Sequence, residues 1–382
     1  MSTPISQRNH AIDTYRGFVM LLMMGEVLEL ARVAKSYPQN ILWQIAAFNQ
    51  SHVEWAGMSL HDMIQPSFSF LVGVALPYSI ASRMRSGQTF SRMLFHTVVR
   101  SFVLIALGIF LRSTHATQTY FTFEDTLSQI GLGFTFLFLI YFAPPRWQWI
   151  ILGCLLFAYW LAWALFPIAP AGDWVHNFSG FAAHWNKSSN FGLWVDRWFL
   201  NLFPREHPFV INGGGYLTTS FIPTLGTMIL GLIAGRWVKG SAPAIPFRNM
   251  LLTGVVCILI ATALHYSGIC PIVKKVWTPA WTLFSGGFCF LFLAAFSWIV
   301  DVKGNARAAF PLIVIGRNSI TAYVLADMCR GFFEQSLYIH LGHAPFQMFG
   351  AALEPLMVGI TLLALYWLVL FWMYRRNIFL RI

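Results

Sequence analysis

The chain has 382 residues, of which 57% are apolar, 17% aromatic and only 10% charged. A water-soluble fold of this composition has too few polar side chains to cover its surface, so lipid must be its main solvent. The formal net charge is +11 at pH 7, but the basic residues lie in short clusters between apolar runs, where such clusters orient helices across a membrane. We therefore expect no nucleic-acid partner.

Apolar stretches long enough to cross a membrane recur along the chain. A hydrocarbon core about 30 Å thick needs about 20 helical residues. These stretches predict an all-α, polytopic integral membrane protein, with about ten transmembrane helices in one bundle and a single domain over residues 1–382. The predicted spans are 12–32, 62–82, 93–112, 124–142, 147–166, 216–238, 248–267, 278–300, 309–328 and 351–374.

An even number of spans puts both termini on the same side of the membrane. With both termini in the cytoplasm, most basic loop residues also lie inside, in agreement with the positive-inside rule. The N-terminal apolar run contains charged residues and has no small-residue cleavage site, so we expect it to remain as the first span. The basic residues placed in the cytoplasm are Arg83, Arg85, Arg92, Arg146, Arg236, Lys239, Arg248, Lys303, Arg307, Arg375, Arg376 and Arg381.

Two predicted outer segments, at about 33–61 and 167–215, are too long to be simple turns. The second contains tryptophans interleaved with amides and carboxylates, a combination that stacks on sugar faces and binds hydroxyl groups in concave sites. The alternative is an aromatic belt at the membrane surface. The residues concerned are Trp174, His176, Trp185, Asn186, Asn190, Trp194, Asp196 and Trp198.

Ionisable side chains within the first predicted span are functional candidates, because charge in a hydrophobic span is costly. At about 1.5 Å of rise per residue, Glu26 lies in the outer half of the membrane and Glu29 one turn further on. Arg32 follows Glu29 by three residues, so a structural ion pair explains Glu29 equally well.

The segment QSHVEWAGMSLHDMIQP contains four polar or aromatic residues at intervals of three, four and three positions. If the segment is helical, His52, Trp55, Ser59 and Asp62 form one stripe. Asp62 then lies about 15 Å along the axis from His52, too far for contact. Glu26, in the same outer half, is therefore the predicted partner that orients His52 or shares a proton with it. A purely structural histidine is the alternative.

The ninth predicted span contains the polar sequence GRNSITAYVLAD, with Asn318 near mid-membrane and Tyr323 beyond it. Such groups either join helices by hydrogen bonds or line a substrate cavity. The histidines of the chain show no metalloenzyme spacing with carboxylates, and there is no phosphate-binding or dinucleotide-binding glycine motif. We expect no metal.

Motifs along nearly the whole chain occur in the order of one known family. The first are R-x-x-x-x-D-T-Y-R-G, beginning at Arg8, and H-x-x-W-x-G-x-S-x-x-D-x-x-x-P, beginning at His52, which runs into FSFLVGVALPYS. The later ones are L-G-x-x-A-G, beginning at Leu230, and G-x-N-S-I-x-x-Y-V, beginning at Gly316. Together they resemble the heparan-α-glucosaminide N-acetyltransferase family, and the His-Trp-Gly-Asp segment is the most specific of them.

The resemblance implies a multi-span enzyme that transfers acetyl from cytoplasmic acetyl-CoA to the amine of a terminal glucosamine across the membrane. The family's active-site histidine falls on His52. Where lysosomal members have a first-span asparagine in the active site, this chain has Val27, next to Glu26. We also expect it to lack their large lumenal N-terminal domain. Both departures make it more similar to the bacterial branch, some of which is associated with amino-sugar uptake, and predict a bacterial inner-membrane protein.

These observations assign site residues to a transmembrane acyltransferase. His52 acts either as the base that takes the amine proton or as a covalent acetyl carrier. Asn318, or a backbone N–H group, is the candidate donor to the tetrahedral oxyanion. The predicted catalytic residues are His52, Glu26, Asp62 and Asn318, and the predicted substrate-binding residues are Trp55, Ser59, Asp13, Arg16, Tyr323, Trp185 and Asn190. The CoA phosphates need basic groups, and the candidates are Arg83, Arg85 and Arg236.

Two alternatives remain open. A permease for glucosamine-like sugars would use Asp13, Glu26 and Glu29 as proton or ammonium sites. An acyltransferase of the same kind would act instead on a hydroxyl group of an envelope glycan. The expected partners are therefore acetyl-CoA as co-substrate, an amino sugar or glycan, and membrane lipid. The sequence leaves the oligomeric state open, a homodimer included.

Overall fold

The computed structural model of the protein describes residues 9–114, 116–168, 178–187, 189–240 and 244–380. The predicted site candidates Trp174 and His176, together with Arg8 and Arg381, lie outside the described residues. Within these ranges the chain forms α-helices joined by short helical turns and loops, and no β-strand occurs there. The isolated bridge between Ala56 and Val273 is a local backbone contact.

The helices are numbered here in chain order. Their bounds are α1 His10–Met24, α2 Leu30–Ser36, α3 Ile41–Asn49, α4 Ile64–Arg85, α5 Phe90–Ser113, α6 Thr126–Tyr141, α7 Pro145–Ala164, α8 Phe191–Phe199, α9 Phe221–Gly240, α10 Ala244–Tyr266, α11 Pro279–Ser297, α12 Phe310–Arg317, α13 Ser319–Met328, α14 Arg330–Leu341 and α15 Glu354–Arg375.

Seven helical segments in the described part of the chain are long and apolar enough to cross a membrane. The protein is therefore an all-α, multi-pass membrane protein, as the composition predicts. The predicted count of about ten spans is not confirmed. The seven segments are His61–Arg85, Phe90–Ser113, Pro145–Ala164, Thr218–Gly240, Pro246–Tyr266, Pro279–Val302 and Ala351–Arg375.

The other three predicted spans are short or interrupted. The predicted span 124–142 is the 16-residue helix α6. The predicted span 12–32 is divided into α1, a 3-10 turn over Gly25–Leu28, and α2, with Glu29 in the left-handed region at φ 52°. The predicted span 309–328 is divided at Asn318, where φ is −125° and ψ is 43°. Both interruptions coincide with the polar residues that the sequence analysis singled out.

The chain packs as two compact units. Of the described residues, the first unit contains those within Met1–Val53, Met58–Ile64 and Phe292–Ile382. Its centre is the antiparallel pair α1 and α12. Gly17 lies against the backbone of Leu312 and Gly316 against the backbone of Asp13, so closely that neither position has room for a Cβ atom. The motif glycines Gly17 and Gly316 are therefore requirements of helix packing.

The second unit contains Glu54–Gly57 and the described residues of Gln65–Leu291. Its central pair, α4 and α9, runs parallel: Gly231 lies against the backbone of Phe70, and Gly235 against that of Val74. This close packing explains the glycines of the L-G-x-x-A-G motif. One turn further on, Lys239 Nζ donates to the carbonyl of Pro77 at 2.8 Å.

Candidate functional site

The strongest candidate site is formed by the loop that contains His52. Helix α3 ends at Asn49, and a 3-10 turn begins at His61, so the intervening chain is not the continuous helix that the residue spacing suggested. The chain turns back on itself within these residues, with Gly57 in the left-handed region at φ 108°. As a result, His52 Nδ1 lies 2.8 Å from Asp62 Oδ1. The two residues that a helix would separate are in direct contact.

Hydrogen bonds hold the carboxylate of Asp62 in place. Its Oδ2 accepts from the backbone N–H groups of Ser59 at 3.0 Å and Val53 at 3.3 Å, and Ser59 Oγ lies 3.0 Å away. The Asp62 side chain is fully buried, whereas that of His52 is 42% exposed. Local bonds from a carboxylate to nearby backbone N–H groups compete with helix formation. They explain why the segment folds as a turn around Asp62.

This geometry determines the chemical state of the His52 ring. A carboxylate at Nδ1 favours the tautomer that has its proton on Nδ1 and its basic lone pair on Nε2, and it stabilises the imidazolium that forms when Nε2 takes a proton. A buried aspartate beside a partly exposed imidazole is an arrangement that can serve as an acid–base dyad. We refer to His52 and Asp62 together as the dyad.

A second histidine–carboxylate pair contacts the dyad. His61 Nε2 lies 3.1 Å from Glu26 Oε1, and the rings of His61 and His52 have their centroids 4.6 Å apart at an interplanar angle of 50°. Glu26, predicted from the sequence to orient His52, contacts His61 instead, and Asp62 occupies the orienting position. Residue spacing gave His61 no functional role, because a continuous helix would put it off the stripe that contains His52.

The interruption of the first helix positions Glu26. The 3-10 turn Gly25–Leu28 leaves backbone groups without the bonds of a continuous helix, and such groups need other partners in an apolar setting. Gln50 supplies them: its side-chain amide donates to the carbonyl of Gly25, and its Oε1 accepts from Leu30 N–H at 2.7 Å. Glu29 forms an ion pair with Arg330 of α14. Gln50 thus connects the turn that contains Glu26 to the loop, at a position two residues before His52.

The first unit contains four other predicted site residues, Asp13, Arg16, Asn318 and Tyr323. Asp13 is buried in the first turn of α1 and pairs with Arg16 at 3.5 Å. Thirteen residues separate Asp13 from Glu26, which is about 20 Å along the helix axis. Asn318 follows Gly316, which packs against Asp13, and its amide donates to the carbonyl of Ile378 at 3.0 Å. The structure does not bring Asn318 to His52. The half-buried Tyr323 lies on α13.

Three of the predicted substrate-binding residues, Trp55, Trp185 and Asn190, are buried in the second unit. Trp55 Nε1 donates to the carbonyl of Trp185 at 3.0 Å, and Trp185 is fully buried. Asn190 caps α8, since its Oδ1 accepts from Leu193 N–H at 2.9 Å. The structure therefore brings Trp55 and Trp185 together, as a packed pair whose faces are covered. The substrate-binding roles of these three residues remain predictions.

The three arginines predicted to bind CoA phosphates lie at one end of a helix pair. Because α4 and α9 are parallel, their C-terminal ends lie together, with Arg83 and Arg85 on α4 and Arg236 on α9. The guanidinium of Arg236 donates to the carbonyl of Tyr141 and lies over that ring, 4.8 Å from its centroid. Arg83 is half-buried and Arg85 is exposed. The basic side chains also complement the helix C-termini.

Comparison with known proteins agrees with the sequence motifs. No family model matches the chain. The heparan-alpha-glucosaminide N-acetyltransferase of Homo sapiens is 23% identical over 98% of this chain and 60% of the relative, and that of Mus musculus is 22% identical over 99% and 61%. The chain thus spans about 60% of the length of the curated relatives it matches. The predicted resemblance is confirmed: along nearly its whole length, this chain is similar to the heparan-alpha-glucosaminide N-acetyltransferases.

Proposed function

We propose that the protein is a transmembrane acetyltransferase, which transfers the acetyl group of cytoplasmic acetyl-CoA to the amine of a glucosamine-type sugar on the outer side of the membrane. The observation that carries the proposal is the contact between His52 Nδ1 and the buried carboxylate of Asp62 at 2.8 Å. It occurs in the segment that most resembles the acetyltransferase family. An acyl transfer needs a base of this kind beside the attacking nucleophile.

In this mechanism the dyad takes one proton from the amine and returns it to the leaving thiolate, so the protons balance. The neutral amine attacks the thioester carbonyl, and His52 Nε2 takes a proton from the attacking nitrogen while Asp62 stabilises the resulting imidazolium. The tetrahedral intermediate then breaks its carbon–sulfur bond, and the imidazolium returns the proton to the leaving thiolate. General base catalysis of this type accelerates such a step by about 10²–10⁴-fold.

The basic end of the parallel pair α4 and α9 supports a site for the donor. CoA carries phosphate groups, which bind guanidinium groups through paired, charge-assisted hydrogen bonds. Arg83 and Arg85 are the basic side chains in the last turn of α4. They bind the CoA phosphates on the cytoplasmic side in this proposal.

The interrupted helices favour a second candidate function, a permease for amino sugars. Discontinuous helices, whose free ends bind substrates and ions, are typical of secondary transporters. The first unit has breaks of this kind at the charged residue Glu29 and at the amide Asn318. A permease moves the sugar unchanged, without acetyl-CoA. The two functions therefore differ in whether the sugar causes the release of CoA.

Thiol release from acetyl-CoA tests the proposed function. Purified protein in nanodiscs is mixed with acetyl-CoA, with and without glucosamine, and free CoA thiol is measured together with N-acetylglucosamine. We expect glucosamine-dependent thiol release that His52→Ala abolishes and that the matched variant His340→Ala, which removes an exposed histidine of α14, retains. Absence of thiol release from the wild-type protein overturns the acetyltransferase, and full turnover by His52→Ala overturns the role of the dyad.

A further inference from the structure

The imidazole of His61 lies beside the dyad but has no role in the mechanism proposed above. His61 has 9% of its side chain exposed, and its partner Glu26 has 53%. Burying an imidazole beside a carboxylate is costly unless the pair is hydrogen-bonded, and the 3.1 Å contact between them satisfies this condition. The ring of His61 also lies against that of His52. A hydrogen-bonded pair in contact with the reactive ring is placed to exchange protons with it.

We propose, on the basis of the acetyl transfer proposed above, that His61 and Glu26 form a second proton-accepting pair, which takes from His52 the first of the two protons that an ammonium acceptor loses. The step breaks the N–H bond at His52 Nε2 and forms one at His61 Nδ1, the ring nitrogen that does not face Glu26. His52 returns to its neutral form and is ready for the second proton.

The proton balance of the reaction leaves one proton that such an acceptor can take. An amino sugar near neutral pH is largely an ammonium ion, and an ammonium ion cannot attack a carbonyl carbon. Conversion of R–NH₃⁺ and acetyl-CoA into R–NH–CO–CH₃ and CoA–SH releases one H⁺. Two protons leave the nitrogen, and the sulfur takes only one of them. A single imidazole cannot hold both, so the other proton must leave the dyad before the attack.

The charged groups around His61 and Glu26 favour this proton transfer. The charged and titratable groups that face Glu26 are His61, His52 and Arg330, and Arg330 also pairs with Glu29. Glu26 Oε1 lies 3.1 Å from His61 Nε2, as Asp62 Oδ1 lies 2.8 Å from His52 Nδ1. Each ring therefore has its own carboxylate. Because Glu26 is half exposed and His61 is not, the proton passes to solvent along the side of Glu26.

The pH dependence of turnover tests the inference. The neutral fraction of an amine falls about tenfold for each pH unit below its pKa. We expect His61→Gln to match the wild-type protein at alkaline pH, where glucosamine is already neutral, and to lose about tenfold more activity per pH unit as the pH falls below the pKa of the ammonium. The measurement is kcat from pH 6 to 9 by thiol release.

The choice of variants separates proton transfer from a structural role. Gln at position 61 can still hydrogen-bond Glu26 but cannot take a proton, so a purely structural His61 is rescued by His61→Gln. Glu26→Gln, at a half-exposed position, provides a second variant that we expect to show the same slope. The matched control is His343→Ala, which removes another histidine–carboxylate pair, His343 with Glu354 at 2.6 Å. Its pH profile should be that of the wild-type protein.

The outcomes distinguish this inference from the proposed function. A wild-type protein that releases no thiol at any pH ends the acetyltransferase, and this inference with it. An active wild-type protein whose pH profile is parallel to those of His61→Gln and Glu26→Gln, whether at equal or at uniformly lower rates, overturns only the second proton acceptor.

Discussion

At the scale of single residues, the role proposed for His52 depends on which of its nitrogens carries the proton. The sequence identified both His52 and Asp62, but it predicted Glu26 as the orienting carboxylate, because helical spacing separates the dyad by about three turns. The turn that joins them is built from backbone N–H groups of Val53 and Ser59, which bind the same carboxylate. Spacing rules describe regular helices and do not include bonds of this kind.

The orienting role of Asp62 is open to a direct comparison. We expect Asp62→Asn to lower kcat by about 10²–10⁴-fold, because an amide neither fixes the productive tautomer of His52 nor stabilises its imidazolium. Glu26→Gln is the matched change at the other carboxylate, and at pH 9 it should leave kcat near the wild-type value. Equal losses at pH 9 in the two variants contradict the assignment. Retained acetyl-CoA binding shows that each variant is folded.

At the scale of helices, the family motifs combine chemistry with packing. Gly316 begins the G-x-N-S-I motif, and its position in the structure is explained by the backbone of Asp13 on α1. The sequence showed that these residues belong together in a pattern, but not that the glycine serves helix contact. Single residues at a break, such as Glu29 and Asn318, also divide what hydropathy alone treats as one span.

The close contact of Gly316 with α1 predicts that alanine at this position lowers the stability of the protein. Gly316→Ala forces a methyl group against the backbone of α1, so we expect a loss of about 1–3 kcal/mol and a lower thermal midpoint in detergent. Gly153→Ala is the matched control. Gly153 lies inside α7 with open space at its Cβ position, and alanine there should raise stability by about 0.5–1 kcal/mol. Equal midpoints for the two variants contradict close packing at Gly316.

At the scale of the whole molecule, composition was sufficient for the class of protein and insufficient for the number of spans. An excess of apolar residues indicates lipid as the solvent regardless of how the helices are divided. The number of spans depends on helix length. The 16 residues of α6 rise about 24 Å, less than the hydrocarbon thickness of about 30 Å. A hydropathy pattern does not contain that information.

Stability should depend on pH through Asp196, in the predicted outer segment. Burial raises the pKa of this carboxyl group to about 7, against the hydrogen bond that its Oδ2 accepts from Thr218 N–H at 2.9 Å. Between about pH 4 and pH 7 the folded protein therefore holds a proton that the unfolded chain has lost. Stability contributed by this group is complete below pH 4 and declines as the pH rises to 7.

Replacement of Asp196 by asparagine tests whether stability declines as the pH rises. Asp196→Asn keeps an oxygen that can accept from Thr218 N–H but cannot ionise, so its thermal midpoint should decline less than that of the wild-type protein between pH 5 and pH 8. Glu206→Gln, at an exposed carboxylate of the same predicted segment, is the control and should follow the wild-type curve. A steeper decline in Asp196→Asn than in the wild-type protein refutes the assignment.

The side chain of Gln50 gives the dyad a mechanical constraint. It holds both sides of the interruption in the first helix, at Gly25 and Leu30, and it stands two residues ahead of the imidazole. Neither segment can shift without breaking these hydrogen bonds. The imidazole of His52 and the carboxylate of Glu26 therefore keep the same relative position before any ligand binds. In the proposed acetyl transfer, this arrangement lowers the reorganisation that catalysis would otherwise require.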